Sequence, residues 1–288
     1  MSPTRVWIDT DPAVGVPERD VDDGFALLQA LRSAELEVVG VSTVFGNTDL
    51  ERAYAIAAEL LHLAGHDEMP LHPGAADAGA LGAPSAASRA MVRALERSPL
   101  VVLALGPLTN VATALRDPAA AAHVERVVAV AGRRPGQRFQ VGTGEDALPD
   151  LNFESDVPAA AELLAQADLE LLLAPFEVSS HVRIGEPELR ALEAGPSTAR
   201  WLVPPSRRWL EHWREHFGVD WFHPFDTLAV AAVATPELIE LEALEIAIVE
   251  APGAELHAAP ELPGGRPARY AHRPHPRFRD DLMARLLS

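Results

Sequence analysis

The stretch Leu100-Val101-Val102-Leu103-Ala104-Leu105 is apolar at every position and runs directly into Gly106-Pro107-Leu108-Thr109-Asn110. A strand with one wet face alternates apolar and polar residues, whereas an uninterrupted apolar run fits a strand covered on both faces. The pattern recurs on either side, at Val6 to Ile8, Leu36 to Phe45, Val124 to Ala131 and Leu169 to Ala174. Between these runs lie helical patterns, about Asp22 to Ser33, Leu50 to Ala64, Ser85 to Arg97, Thr109 to Leu115 and Ala159 to Ala167. The alternation predicts an α/β fold, an open and mostly parallel sheet flanked by helices. Ligands of such a sheet gather at the carboxyl ends of its strands.

Beyond Phe176 the pattern turns helix-rich, over Pro187 to Phe217 and Phe225 to Ala234, which predicts a helical cap from the C-terminal half. Leu244 to Val249 reads as a further strand, Ala251 to Pro274 as a proline- and glycine-rich loop or ragged hairpin, and Arg277 to Leu287 as a closing helix. No repeat or long linker interrupts the pattern, so residues 1–288 are expected to form one domain.

Composition removes whole classes of function. No apolar run approaches the ~20 residues that a bilayer requires, and no basic-then-apolar leader opens the chain, which predicts a cytoplasmic protein without a membrane partner. A net charge of −18 repels phosphate backbones, and the nearest basic cluster, Arg133, Arg134 and Arg138, is short, so nucleic acid is not an expected partner. The absence of cysteine excludes disulfides, thiolate zinc sites and cysteine nucleophiles. There is no lysine either, since all 24 Lys+Arg residues are arginine, which excludes Schiff-base chemistry and a P-loop lysine. Asparagine occurs only at Asn47, Asn110 and Asn152, each at the end of a strand-like run, a placement that suits a turn or a functional amide.

Asp9 and Asp11 end the first strand, and Asp22 and Asp23 open the next helix. Helix-dipole stabilisation of ~0.3–1 kcal/mol per carboxylate does not offset repulsion among four acids. A hard cation with oxygen ligands would, while helix capping and strand-end hydrogen bonding are the simpler alternative. A strand followed by Asp-x-Asp also suits a haloacid-dehalogenase-type phosphotransferase, but that pattern wants Thr or Val where Ala13 stands, with Val14 one place late, and a later basic residue that lysine does not supply here.

Asp9-Thr10-Asp11-Pro12 followed by Asp22-Asp23-Gly24-Phe25-Ala26 resembles the opening signature of the inosine-uridine nucleoside hydrolase family. Further matches follow in order: Val44-Phe45-Gly46-Asn47, Leu105-Gly106-Pro107-Leu108-Thr109-Asn110, Asp150-Leu151-Asn152 with Asp156, and Phe225-Asp226. The resemblance implies a Rossmann-like core and calcium-dependent hydrolysis of ribonucleosides or a related N-riboside to ribose and free base, in purine or pyrimidine salvage, by a homodimer or homotetramer. It implies a calcium ion held by Asp11, Asp23, the backbone carbonyl of Leu105 and Asp226, with Asp11 also activating the attacking water. Asp22, Asn47, Asp150 and Asn152 take the positions of ribose-hydroxyl contacts, and Asp9 supports the cluster from behind. Trp209 and Trp213, four residues apart on one helical face, stand where relatives place aromatics against the base; core packing is the other reading of both.

The sequence departs from the family at three places. Residues 12–21 lengthen the interval between Asp11 and Asp22, and Asp20 within them is a substitute ligand candidate. Phe225 stands where many members carry a histidine that protonates the leaving base, leaving His212, His216 and His223 as candidate acids or ordinary surface and core histidines. Gly74 to Ser88 lacks the usual His-Gly base-side loop. These departures keep open a second function, a non-catalytic metal- and ribose-binding protein of the same fold.

Overall fold

The computed structural model describes residues 2–142, 147–250 and 253–288. The first half runs β1 (Thr4–Thr10), α1 (Asp22–Leu31), β2 (Leu36–Thr43), α2 (Leu50–Leu63), β3 (Leu71–Pro73), α3 (Ala86–Arg97), β4 (Leu100–Ala104), α4 (Thr109–Ala114), α5 (Pro118–Ala121) and β5 (Val124–Ala129). A two-stranded ribbon, β6 (Phe139–Gln140) and β7 (Ala147–Leu148), leads into α6 (Leu151–Glu154), α7 (Val157–Ala165), β8 (Leu171–Leu173) and α8 (Phe176–Ser179). The chain closes with α9 (Glu186–Glu193), α10 (Ser197–Phe217), α11 (Phe225–Ala234), β9 (Ile239–Glu250), β10 (Ala254–Ala259), β11 (Arg266–Pro274) and α12 (Phe278–Leu286).

Nine strands form the main sheet in the order β10-β9-β11-β8-β5-β4-β1-β2-β3, parallel from β11 to β3, with β9 and β10 antiparallel at one edge. Both faces are covered, which is why the central strands are apolar throughout. Val6, Ile8, Val101, Leu103, Val128 and Leu172 pack into one core with α1, α10 and α11. Their neighbours Trp7, Leu100, Val102, Val127, Leu171 and Leu173 pack into the other with α3, α4 and α7. Each fully buried aliphatic side chain in these layers contributes roughly 1.5–3 kcal/mol of transfer free energy.

The expectation of a loop over Ala251 to Pro274 is corrected on the described residues: β10 and β11 are both ladder strands, and β9 starts at Ile239, well before Leu244. Pro260, Pro263, Gly264 and Gly265 lie in the turn between β10 and β11, whereas Pro267 and Pro274 belong to β11 itself, and Leu256, Ala258, Ala268, Tyr270 and Ala271 are buried. Beyond Phe176 the described residues therefore supply three sheet strands as well as cap helices. Helix over Pro187 to Phe217 is two helices, broken at Gly195-Pro196, because proline there cannot extend the preceding turn. Among the described residues no helix is long and apolar enough to cross a membrane.

Candidate metal and ribose site

The parallel strands end on one side of the sheet, and there the polar residues are buried. Asp9, Thr10 and Asp11 lie at the end of β1, Ser42 and Thr43 at the end of β2, and Leu105 just past β4. Helices α1 and α11 pack against each other, and their first turns carry Asp22, Asp23 and Asp226. Each of these three buried acids offers an oxygen within 4.8 Å of the others.

Asp11 lies outside that trio. Its Oδ2 accepts the Asn47 backbone N–H at 2.5 Å, and its own N–H donates to Asp23 Oδ1 at 3.1 Å. Thr10 also donates its hydroxyl to Asp23 Oδ1. Asp22 Oδ1 accepts the Asp23 N–H at 3.1 Å, and its Oδ2 the Asp226 N–H at 3.4 Å. Gly46 and Gly106 leave room for the Asp11 carboxylate, because a Cβ at either would collide with it, and Gly46 also has φ +152.

Asp9 sits beside this group on β1. Its Oδ1 accepts from the Ser42 hydroxyl and from Asn110 Nδ2 at 2.9 Å, and Ser42 in turn accepts from Trp7 Nε1 at 2.8 Å. Asn110 also donates to the Thr43 carbonyl at 3.1 Å and accepts from Ala75 N–H at 2.8 Å, so its amide ties three strand ends together. Asn152 does the same on the other flank, donating to the carbonyls of Leu105 at 2.6 Å and Val130 at 3.1 Å. Asp150 Oδ2 accepts from Gly132 N–H at 2.7 Å.

Burial is the main influence on these acids. It pushes Asp11, Asp22 and Asp226 well above the ordinary carboxylate range, with neighbouring aspartates adding to it, and raises Asp23 as well. Asp9 and Asp150 are pushed up to about 7 by burial. Among the described residues no acid of the group forms an ion pair, and buried Asp11 Oδ1 and Asp23 Oδ2 have no hydrogen-bond partner. Uncompensated carboxylates with spare lone pairs fit a hard cation that prefers oxygen ligands.

In front of the group opens a cavity of about 250 Å³. Asp22, Asn47, Leu105, Asp150, Asn152 and Asp226 form its polar wall, and Phe139, Phe176, Trp209, Trp213 and Phe225 its aromatic wall. Asp9, Asp11 and Asp23 are not in its lining. Trp213 is fully buried and belongs to the core as well as to the cavity, whereas Trp209 is half-buried; among the described residues neither indole N–H has a partner. Trp213 is thus a core residue that also faces the cavity.

The segment 12–21 reaches the same cavity through Glu18, Arg19 and Asp20, with Glu18 in the left-handed region at φ 58. Its inner end is anchored: Ala13, Val14 and Val21 are buried, and Asp20 Oδ1 accepts the N–H groups of Val21 at 2.7 Å and Asp22 at 3.2 Å. None of the three candidate histidines is in the cavity lining. His212 stacks on Trp209 and His216 on His212, while His223 is buried edge-on to Trp213 and bonds the Val182 carbonyl through Nδ1 at 2.6 Å. Burial drives His223 down to about 4, so it is neutral at pH 7. The residues 74–88 are likewise absent from the lining, and Ser85 there caps α3 through a reciprocal bond with Ser88. Phe139 and Phe176 had no signal in the sequence, since both sit in elements too short to show a period.

A sequence profile described as inosine-uridine preferring nucleoside hydrolase matches residues 6–260. The chain is similar to a probable uridine nucleosidase 1 of Oryza sativa subsp. japonica, 28% identical over 265 residues covering 81% of this chain and 77% of that one. It is also similar to the non-specific ribonucleoside hydrolase RihC of Salmonella paratyphi B, 26% identical over 273 residues covering 85% and 83%. Among solved structures, a plant nucleoside hydrolase, the PpNRh1 enzyme, superposes with a TM-score of 0.84 over 99% of both chains at 22% identity, and a purine-preferring ribonucleoside hydrolase from Gardnerella vaginalis with 0.82 over 98% of both at 20%. With a profile match over nearly its whole length and this fold around an acid-lined cavity, the chain belongs to the inosine-uridine preferring nucleoside hydrolase family and is an N-ribosyl hydrolase.

Proposed function

We propose that the protein is a calcium-dependent hydrolase of ribonucleosides or a related N-riboside, yielding ribose and free base. The observation that supports this most is the sharing of one cavity by the buried carboxylates Asp22, Asp150 and Asp226 and an aromatic wall, a polar end for a sugar and an apolar end for a planar base. Asp23, Asp226, Asp11 and the Leu105 carbonyl would hold the cation, with Asp22 close enough to Asp23 and Asp226 to join them. The donor set is all oxygen, which suits calcium and excludes a soft-metal preference. When bound, the cation would polarise the attacking water and anchor ribose hydroxyls.

The remaining chemistry falls to the chain. Asp11, with an unpartnered Oδ1, serves as base for the water that attacks the anomeric carbon. Asp22, Asn47, Asp150 and Asn152 bind ribose hydroxyls, and the fixed carboxylates stabilise the positive charge that builds on the sugar as the C–N bond breaks. Trp209, Trp213 and Phe225 hold the base out of water.

The test is release of reducing sugar from purine, pyrimidine and nicotinamide ribosides, with calcium and after chelation, for wild type and Asp11→Ala. Calcium-dependent release lost in the variant is expected. A fully folded, calcium-loaded protein that leaves every riboside intact would instead support the binding-protein reading.

A further inference from the structure

Arg133 stands just behind the cavity wall without being part of its lining. Only 8% exposed, it follows Gly132, whose φ of +93 turns the chain off the end of β5 and whose N–H holds Asp150. Its guanidinium Nη2 donates to Glu154 Oε1 at 2.7 Å, and that same oxygen accepts the Asp150 backbone N–H at 2.9 Å. Nη1 reaches Glu255 Oε1 at 3.4 Å, and Glu255 is bonded in turn to His257 Nε2 at 2.5 Å. The flat guanidinium lies 4.4 Å from the centre of the Phe139 ring, which stacks on Phe176 at 4.7 Å. The backbone is clamped as well: Arg133 N–H donates to the Leu256 carbonyl at 2.9 Å, and Ala258 N–H to the Arg133 carbonyl at 2.8 Å.

We infer that Arg133 is a positioning residue that sets both ends of the cavity at once, the ribose-side Asp150 through Glu154 and the base-side Phe139 through its face. This rests on the reading of Asp150 as a ribose contact. One planar cation joins the two walls, so the distance between sugar and base subsites follows from its geometry. Lysine, a point charge on a flexible stem, would satisfy Glu154 without the flat stacking on Phe139. Together with the Gly132 N–H, the Arg133 charge also holds Asp150 below where burial alone would leave it, against the opposing charge of Glu154.

The experiment compares wild type, Arg133→Met, Arg133→Lys, Glu154→Gln and the Arg133→Met/Glu154→Gln double variant. Amide exchange at Asp150 is read in the substrate-free protein, and kcat and KM for ribose release are read on the riboside that wild type cleaves best. Arg133→Met is expected to melt cooperatively, to exchange the Asp150 amide about 10-fold or more faster, and to lose about 10²-fold in kcat/KM, the scale of a misplaced contact. The double variant should lose little beyond Arg133→Met, because both act on Asp150. Arg133→Lys should recover Asp150 protection while KM stays raised. Unchanged exchange at Asp150 in Arg133→Met, or losses that multiply in the double variant, would overturn the inference. If Arg133→Met does not fold, Arg133→Lys carries the same decision, and wild-type protection at Asp150 with an unchanged KM would overturn it. If wild type cleaves no riboside, the proposed function fails and the exchange measurements alone decide the role of Arg133.

Discussion

Chelating the metal and then raising the pH should unfold this protein. Asp9 and Asp150 are each held at about 7 against an ordinary 3.8, mainly by burial. A carboxyl raised this far keeps its proton in the folded chain and loses it in the unfolded one, so the native state binds more protons between those values and stability falls as pH rises. The penalty is absent below about pH 4 and complete once pH has passed the folded value near 7. Each such group then costs about 4 kcal/mol, using 1.36 kcal/mol per pH unit. Asp11, Asp22, Asp23 and Asp226 shift in the same direction, so the metal-free slope is steeper than either group alone gives. Against a typical total stability of about 5–15 kcal/mol, two groups suffice to bring the chelated protein close to its midpoint. Urea or thermal melts after chelation at pH 5, 6, 7 and 8, repeated with excess calcium, measure this. The expected result is a large fall in metal-free stability across that range and a smaller one with calcium, which on the proposed reading binds ionised Asp11, Asp23 and Asp226 and opposes their protonation while the contributions of Asp9 and Asp150 remain. A metal-free stability that stays level or rises from pH 5 to 8 would refute the reasoning.

Gly46→Ala should abolish activity and weaken calcium binding while leaving the distant sheet edge intact, since the new methyl displaces the Asp11 carboxylate; calorimetric titration of calcium together with exchange at β9 would check both parts. Asn110→Ala leaves the Asp9 carboxyl and the Ala75 N–H short of partners and should cost about 2–4 kcal/mol in urea melts, with calcium affinity following the loss. Trp213→Ala removes a fully buried ring and should cost about 3–5 kcal/mol. Trp209→Ala, half-buried, should cost about 1 kcal/mol and show itself mainly as a raised KM, so comparing melts with kinetics separates core from cavity wall.

The residues readable in advance were those with strong local pattern. Helix α11 occupies Phe225–Ala234, the same bounds that its apolar run suggests, and β4 fills all but the last position of its run because both faces are covered. Strand β11 escaped because its parallel partner β8 is remote in sequence and its prolines, Pro267 and Pro274, lie where a ladder strand is not expected. At the site, Asp23 and Asp226, which the resemblance assigns to the cation, come together with Asp22, which it assigns to ribose, whereas the displacement of Asp11 from their cluster depends on how Asn47 and Gly46 turn after β2, which no spacing encodes. The network of Arg133, Glu154 and Glu255 was equally hidden, since an arginine in a short basic loop reads as solvated until the hairpin that covers it is known.

The position of β11 between β8 and β9 has a consequence for synthesis. Tyr270 pairs beside Leu173, and the strand leaves the ribosome well after β8, with the helices α8 to α11 and β9 and β10 made in between. Until it inserts, β8 presents an open apolar edge to the cell, a template for pairing with another chain. The late closure also means that few of the sheet's rewards arrive locally, a topology that folds slowly. A nascent chain stalled before Arg266 would therefore be a substrate for chaperones, and premature termination there should yield aggregate in place of a weakened enzyme.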